Sequence, residues 1–76
     1  MKKVFLMKYN GDLIAVCTSK RTAVEKSIEF LLQKDFIKTD KIAEVRTELM
    51  GGYDWNVNGY VLRIIENDTN TLFINK

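Results

Sequence analysis

The sequence predicts an α+β fold in which one amphipathic helix packs on a mainly antiparallel sheet. Two observations predict strands: β-prone runs flank an Asn-Gly pair twice, at positions 10–11 and 58–59. Asn-Gly between such runs is a strong hairpin signal, because a type I′ turn needs positive φ at both central residues. The third observation is an apolar stripe with helical spacing between Thr18 and Asp35. We therefore expect one domain, residues 1–76, with a hairpin, a helix and then a β-meander.

The first hairpin is predicted to comprise residues 3–9 and 12–17, joined by Asn10-Gly11. A two-residue loop sets the cross-strand pairs Tyr9–Asp12, Met7–Ile14 and Phe5–Val16. Both faces of this hairpin are largely apolar, so we expect the helix to cover one of them. The other face then needs a second layer, a partner or a second copy of the chain.

The helix is predicted to begin after Thr18 or Ser19, since either side chain can accept a hydrogen bond from the first free amides. Thr22 and Glu25 have the spacing of a capping box. The apolar stripe consists of Ala23, Val24, Ile28 and Leu31, widened by Phe30 and Leu32. Its opposite face is solvated and contains Lys20, Arg21, Lys26, Glu29 and Gln33.

Residues 42–50 fit two patterns. Ile42, Val45 and Leu49 suit a short helix capped by Thr39 or Asp40. The alternation of Ala43, Val45, Thr47 and Leu49 with charged residues suits a half-buried strand. We favour the strand, with Met50-Gly51-Gly52 as a hairpin loop, because its register places one apolar face in line with the following strands.

The second hairpin is predicted around Asn58-Gly59, with the pairs Val57–Tyr60, Trp55–Leu62 and Tyr53–Ile64. The same turn puts Asp54 beside Arg63 on the opposite face, and the favoured loop puts Asp54 near Glu48. A short last strand is expected over residues 71–75, after the turn cluster at 67–70.

Composition argues against an enzyme. The chain has no histidine, which removes Ser-His-Asp and Cys-His nucleophiles and most zinc sites. No phosphate-binding or dinucleotide-binding glycine motif is present. The single cysteine, Cys17, cannot form an internal disulfide, and its apolar neighbours indicate a buried residue. We expect no catalytic residue, no metal site and no cofactor.

Two surfaces are candidates for binding. The first is aromatic and consists of Tyr53, Asp54, Trp55 and Tyr60. Tyr and Trp are enriched at binding hot spots, although the register favours a core position for Trp55 and exposure for the two tyrosines. The second is a basic helix face, Lys20, Arg21, Lys26 and Lys34, which glutamates interrupt. A net charge of +2 is small for a nucleic-acid-binding protein.

The outline of the chain resembles small phage and prophage proteins of low-GC Gram-positive bacteria. The resemblance rests on the Met-Lys-Lys start, the hairpin, Val16-Cys17-Thr18-Ser19 before Ala23 in a helix, and the closing hairpin. Abundant Lys, Ile and Asn and the lack of proline fit that source. The resemblance implies an accessory host-takeover or anti-defence factor that binds and blocks a host protein, and it carries over no specific residue.

We therefore expect a non-enzymatic, cytoplasmic, phage-encoded inhibitor or modulator of a host protein, of an anti-CRISPR-like kind. A homodimer through the N-terminal hairpin is a further expectation. Two alternatives are kept: a nucleic-acid-binding or transcription-modulating domain that uses the basic face, and a structural homo-oligomer of the virion or its assembly. No segment is long and apolar enough to span a bilayer, so we expect no membrane partner.

Overall fold

The computed structural model describes residues 3–68, which form a four-stranded antiparallel sheet and two helices. The elements follow in the order β1 (Lys3–Tyr9), β2 (Asp12–Cys17), α1 (Lys20–Gln33), α2 (Ile42–Met50), β3 (Trp55–Val57) and β4 (Tyr60–Asp68). A single 3-10 turn, Thr39–Lys41, precedes α2. The strand order is β2-β1-β4-β3, so β2 and β3 are the two edges. The predicted α+β class is confirmed, and the strand predicted at 71–75 lies outside the described residues.

The first hairpin has the predicted turn but not the predicted register along its length. Asn10 and Gly11 have φ values of 55° and 82°, and Tyr9 pairs with Asp12 as expected. A β-bulge then inserts Ile14 as an extra residue, so the other pairs are Met7–Ala15 and Phe5–Cys17. The predicted pairs Met7–Ile14 and Phe5–Val16 are therefore wrong. The bulge turns Val16, which is 54% exposed, to the face away from the helices and Cys17, 6% exposed, toward them.

Helix α1 begins at the predicted position and buries the predicted apolar stripe. Ser19 is the N-cap, and its hydroxyl accepts a hydrogen bond from the Thr22 amide at 3.1 Å. The four residues of the predicted stripe are all buried: Ala23, Val24, Ile28 and Leu31. Ser27 is also fully buried on this face, and its hydroxyl donates to the Ala23 carbonyl oxygen at 2.8 Å, which satisfies the polar group inside the helix.

Glu25 forms an ion pair with α2 and no capping box with Thr22. Its carboxylate accepts from Nε and Nη2 of Arg46 at 2.7 and 3.0 Å. This bidentate hydrogen bond, helped by the charges of Arg46 and Arg21, holds the pKa of Glu25 below its usual value, and desolvation partly opposes the shift. Both partners are about half exposed, so the pair orients α2 against α1 and adds little stability.

Residues 42–50 form helix α2, and the strand predicted there is wrong. Val45 and Leu49 are buried at 0% and 1% exposure, whereas Ala43 and Thr47 are exposed. That is helical spacing, and alternation would have buried all four. The favoured loop register, which paired Leu49 with Tyr53, Thr47 with Trp55 and Val45 with Val57, therefore does not form.

The glycines after α2 end a helix and do not close a hairpin. The Gly52 amide donates to the Leu49 carbonyl and the Tyr53 amide to the Glu48 carbonyl, and Gly52 has a φ of 90°. This pair of bonds is a Schellman motif, which needs a residue in the left-handed region. The helical alternative was right for the element, but neither Thr39 nor Asp40 caps it: the N-cap is Lys41, with no side-chain bond.

One apolar core joins both helices to one face of the sheet. Its buried members are Met7, Val24, Ile28, Leu31, Ile37, Val45, Leu49 and Leu62. The second hairpin contributes Leu62 through the pair Trp55–Leu62, which was predicted together with Val57–Tyr60. The third predicted pair, Tyr53–Ile64, is absent because β3 starts only at Trp55.

We expect a charge to be tolerated at Ala43 but not at Val45. Val45→Lys places an ammonium group in the core, which costs on the order of the whole stability of a chain this size, about 5 kcal/mol. Ala43→Lys adds the same side chain on the exposed face of α2 and should change stability by less than about 0.5 kcal/mol. Urea unfolding followed by circular dichroism measures both, and equal damage by the two variants would support the strand.

Candidate functional site

An apolar groove lies between β3 and the connection that follows α1. Phe36 and Ile37 line one side, and Trp55 and Val57 line the other. Its volume of about 390 Å³ is within the range of small-ligand and side-chain pockets. Ile37 is buried and belongs to the core, whereas the other three are half-buried, so the groove is an opening onto the core from the β3 edge.

The end of α1 positions Phe36 in this groove. Asp35 has a φ of 60°, its amide donates to the Leu32 carbonyl, and the Phe36 amide donates to the Leu31 carbonyl at 2.8 Å. These two bonds form a second Schellman motif, in which an apolar residue after the cap usually contacts the last turns of the helix. Phe36 does so, since its ring centroid lies 6.4 Å from that of Phe30.

Charged residues of both signs surround the groove. Asp35, Lys38, Asp40 and Lys41 line it on the side of the connection, and all four are exposed. The Lys41 ammonium also lies 3.4 Å from the Glu44 carboxylate. An apolar floor with a mixed charged rim is the usual anatomy of a protein-binding patch, in which apolar contact supplies affinity and rim charges select the partner.

An aromatic cluster extends the groove toward the turns of the sheet. The Tyr9 ring lies 5.2 Å from Phe30, 5.7 Å from Phe36 and 5.7 Å from Tyr60, measured between centroids. Tyr9 is half-buried, and its hydroxyl oxygen is buried without a hydrogen-bond partner among the described residues. Phe36 belongs to both the cluster and the groove, so Tyr60 and Trp55 lie at the two ends of one aromatic surface.

The four residues of the predicted aromatic surface do not lie together. Trp55 lines the groove, half-buried, and Tyr60 is 46% exposed beside Tyr9. Tyr53 is 66% exposed, and its ring packs over Gly51 at the end of α2. Asp54 points to the other face of the sheet, where its Oδ2 lies 2.9 Å from Nη2 of Arg63, as the register predicted.

Sequence reasoning missed Tyr9, Phe30, Phe36 and Ile37 as parts of this surface. The sequence predicts Tyr9 in a strand and Phe30 at the flank of the helix stripe, and Phe36 follows the predicted helix. The signal that was available is Asp35-Phe36-Ile37 directly after the helix, where a left-handed residue followed by apolar ones predicts a Schellman cap folded back onto the helix.

The basic residues of α1 do not form a continuous patch. Glu25 and Glu29 lie among Arg21 and Lys26, which line the same shallow surface. Lys20 is half-buried at the start of the helix, and its charge contributes to lowering the pKa of Glu66, behind the hydrogen bond and charge of Lys3. Phosphate binding needs several uncompensated cations along one track, and α1 does not offer that.

The described part of the chain assembles no group of metal-ligating side chains. Between residues 3 and 68, no three Cys, Asp or Glu side chains come close enough to hold a metal ion. The strand register that placed Glu48 beside Asp54 is not formed, because Glu48 is on α2. Cys17 is buried, as its apolar neighbours predicted.

Comparison with known proteins identifies no family for this chain. No family model matches the chain, and no curated protein or solved structure is significantly similar to it. Within residues 3–68, neither helix has the length and apolar run that crossing a bilayer requires.

We expect Tyr9→Phe to stabilise the protein by about 1 kcal/mol. The Tyr9 hydroxyl is solvated in the unfolded chain and has no hydrogen-bond partner within residues 3–68 of the fold, so removing it removes a desolvation cost and keeps the ring contacts. Tyr60→Phe is the matched control, because that side chain is 46% exposed, and it should change stability by only a few tenths of a kcal/mol. A lower thermal midpoint for Tyr9→Phe would show that the hydroxyl has a partner in solution.

Proposed function

We propose that this protein is a non-enzymatic binding module that inhibits or modulates another protein through the aromatic surface between Trp55 and Tyr60. The observation that supports the proposal is the groove of Phe36, Ile37, Trp55 and Val57, an apolar opening onto the core with a mixed charged rim. A groove of about 390 Å³ fits one or two apolar side chains of a partner.

The energetics of recognition favour a protein partner over a soluble metabolite. Hot spots are enriched in Trp and Tyr, lie in well-packed pockets and are ringed by contacts that exclude water. Here Tyr60 is 46% exposed and Trp55 is half-buried, so binding has aromatic area still to bury. Aromatic side chains lose few rotamers on binding, which keeps the entropic cost low.

The proposed partner is a host protein, in line with the resemblance to phage accessory proteins. A stoichiometric inhibitor needs surface complementarity alone and no chemistry of its own, which suits a chain without histidine. The nucleic-acid alternative predicts instead that generic DNA or RNA binds with a steep loss of affinity as salt rises. The interrupted basic face of α1 does not favour that alternative.

We expect Trp55→Ala and Tyr60→Ala to weaken partner binding about 30-fold each, the effect of losing a hot spot worth about 2 kcal/mol. Tagged wild-type protein and variants are used to capture proteins from a nuclease-treated Gram-positive lysate, and the captured protein is then purified and titrated by calorimetry. Lys26→Ala is the control, because Lys26 is exposed on α1 and does not line the groove.

Three results would contradict the proposal. They are capture that both aromatic variants retain unchanged, loss of folding in parallel with loss of binding, or no protein captured from the nuclease-treated lysate. Circular dichroism of each variant separates the second result from a true loss of contact.

Self-association through β2 is a second proposal, and it rests on the exposed edge of the sheet. Leu13, Ile14 and Val16 on this edge strand are 54%, 43% and 54% exposed. Edge strands are usually protected by charge or proline, and β2 has only Asp12 and the bulge at Ile14. Antiparallel pairing of two copies centred on Val16 sets Ala15 of each copy opposite Cys17 of the other.

We expect Val16→Lys to abolish dimer formation, because a two-fold axis at this residue sets the two ammonium groups against each other. Gln33→Lys adds the same charge on α1 and should leave the dimer intact. Sedimentation velocity over a concentration series measures both. A wild-type chain that stays monomeric, or a dimer that Val16→Lys leaves unchanged, would refute the β2 interface, and large closed assemblies would favour a structural homo-oligomer.

A further inference from the structure

The sheet face away from the helices contains two cations directly opposite each other. Lys8 of β1 and Arg63 of β4 are register partners. Their neighbours on these strands, Met7 and Leu62, are buried in the core, so alternation sends Lys8 and Arg63 to the opposite face. Like charges directly opposite on adjacent strands are destabilising. This arrangement therefore has a cost in the isolated chain.

Only one of the two cations is compensated within the described residues. Arg63 is paired with Asp54: Nη2 lies 2.9 Å from Oδ2, and Nε lies 3.2 and 3.3 Å from the two carboxylate oxygens. This bidentate bond raises the pKa of Arg63. Lys8 is half-buried and has no ion pair between residues 3 and 68. The face thus presents one unneutralised ammonium group next to a guanidinium that already holds a carboxylate.

A shallow depression of about 350 Å³ opens beside these two side chains. Val61 and Ile65 contribute apolar surface to it, and the two Asn-Gly turns close one end. The turns lie side by side because the Asn10 amide donates to the Val61 carbonyl at 3.2 Å. The depression therefore combines a cationic side, an apolar side and a backbone rim.

We propose that this depression binds a carboxylate presented by an acidic side chain of a protein partner. Lys8 is the direct contact. The N–H donors of Arg63 that do not bind Asp54 donate to the incoming carboxylate. One uncompensated cation with aliphatic neighbours suits a Glu or Asp flanked by apolar residues, and it is too little charge for a nucleic-acid backbone. This proposal rests on the proposed protein-binding function, and it specifies that the partner contacts this face with an acidic side chain.

The test is a titration of ¹⁵N-labelled protein followed by amide chemical shifts. The probes are a blocked peptide of alternating Glu and Leu, the same peptide with Gln in place of Glu, and inorganic phosphate. We expect saturable shifts centred on Lys8, Asn10, Gly59 and Arg63 with the Glu peptide and none with the Gln peptide. Lys8→Met should weaken Glu-peptide binding about tenfold, the usual effect of losing one charge-assisted hydrogen bond.

Two controls test whether a loss of binding is specific to the Lys8 side chain. Lys26→Met removes one exposed lysine from α1 and should leave binding unchanged. Lys8→Met should keep or slightly raise the thermal midpoint, since it removes one of two opposed charges, and Lys8→Gln serves as a second variant.

Equal response to the Glu and Gln peptides, shifts centred on α1, or full binding by Lys8→Met would overturn the proposal, and so would tighter binding of phosphate than of the Glu peptide. The capture experiment with Trp55→Ala is independent of this titration, because Trp55 lines the groove and not the depression, so failure of either proposal is distinguishable from failure of the other.

Discussion

Leu31 and Val24 of α1 are enclosed between the sheet and α2, and the rest of the molecule depends on this enclosure. Met7 and Leu62 cover them from the two central strands, and Val45 and Leu49 cover them from α2. Without a disulfide, a chain of 76 residues has little other than apolar burial to offset its conformational entropy. A single helix on the sheet would leave part of the stripe of α1 in water, and α2 closes that gap.

The surfaces follow from this arrangement. Because α2 occupies the chain between α1 and β3, the sheet has only four described strands, and within residues 3–68 its two edge strands have no further partner strand. At the β3 edge the connection after α1 cannot fully cover the core, which leaves the groove of Phe36, Ile37, Trp55 and Val57. At the other edge β2 keeps its aliphatic side chains in water. A small core that is almost closed thus leaves apolar openings of the kind that protein partners cover.

Sequence reasoning predicted the parts that local chemistry determines. The two Asn-Gly turns, the Ser19 cap, the buried stripe of α1 and the Asp54–Arg63 contact all depend on residues close in sequence or on a tight turn. It failed where two periodicities competed. In residues 42–50, Ala43 and Thr47 suit either environment, so only Ile42, Val45 and Leu49 were informative, and their spacing is helical.

The bulge and the groove were not predictable in the same way. A bulge at Ile14 shifts the register by one residue, and no residue type in β2 demands it. The groove joins Phe36 and Trp55, which are 19 positions apart, through the path of the chain around α2. A strand at residues 42–50 would not carry the chain around α2. The predicted fold therefore does not bring Phe36 next to Trp55, although Trp55 is itself a predicted site residue.

The most direct test of this account is backbone NMR of residues 42–53. If residues 42–50 form helix α2, Cα chemical shifts are helical from Ile42 to Met50, and the amides of Val45 and Leu49 exchange slowly. Nuclear Overhauser contacts then join Val45 to the core residues of α1. Extended shifts, with cross-strand contacts between Leu49 and Tyr53, would contradict it. That result would replace α2 by a strand, and the groove would then have to be abandoned as a binding surface.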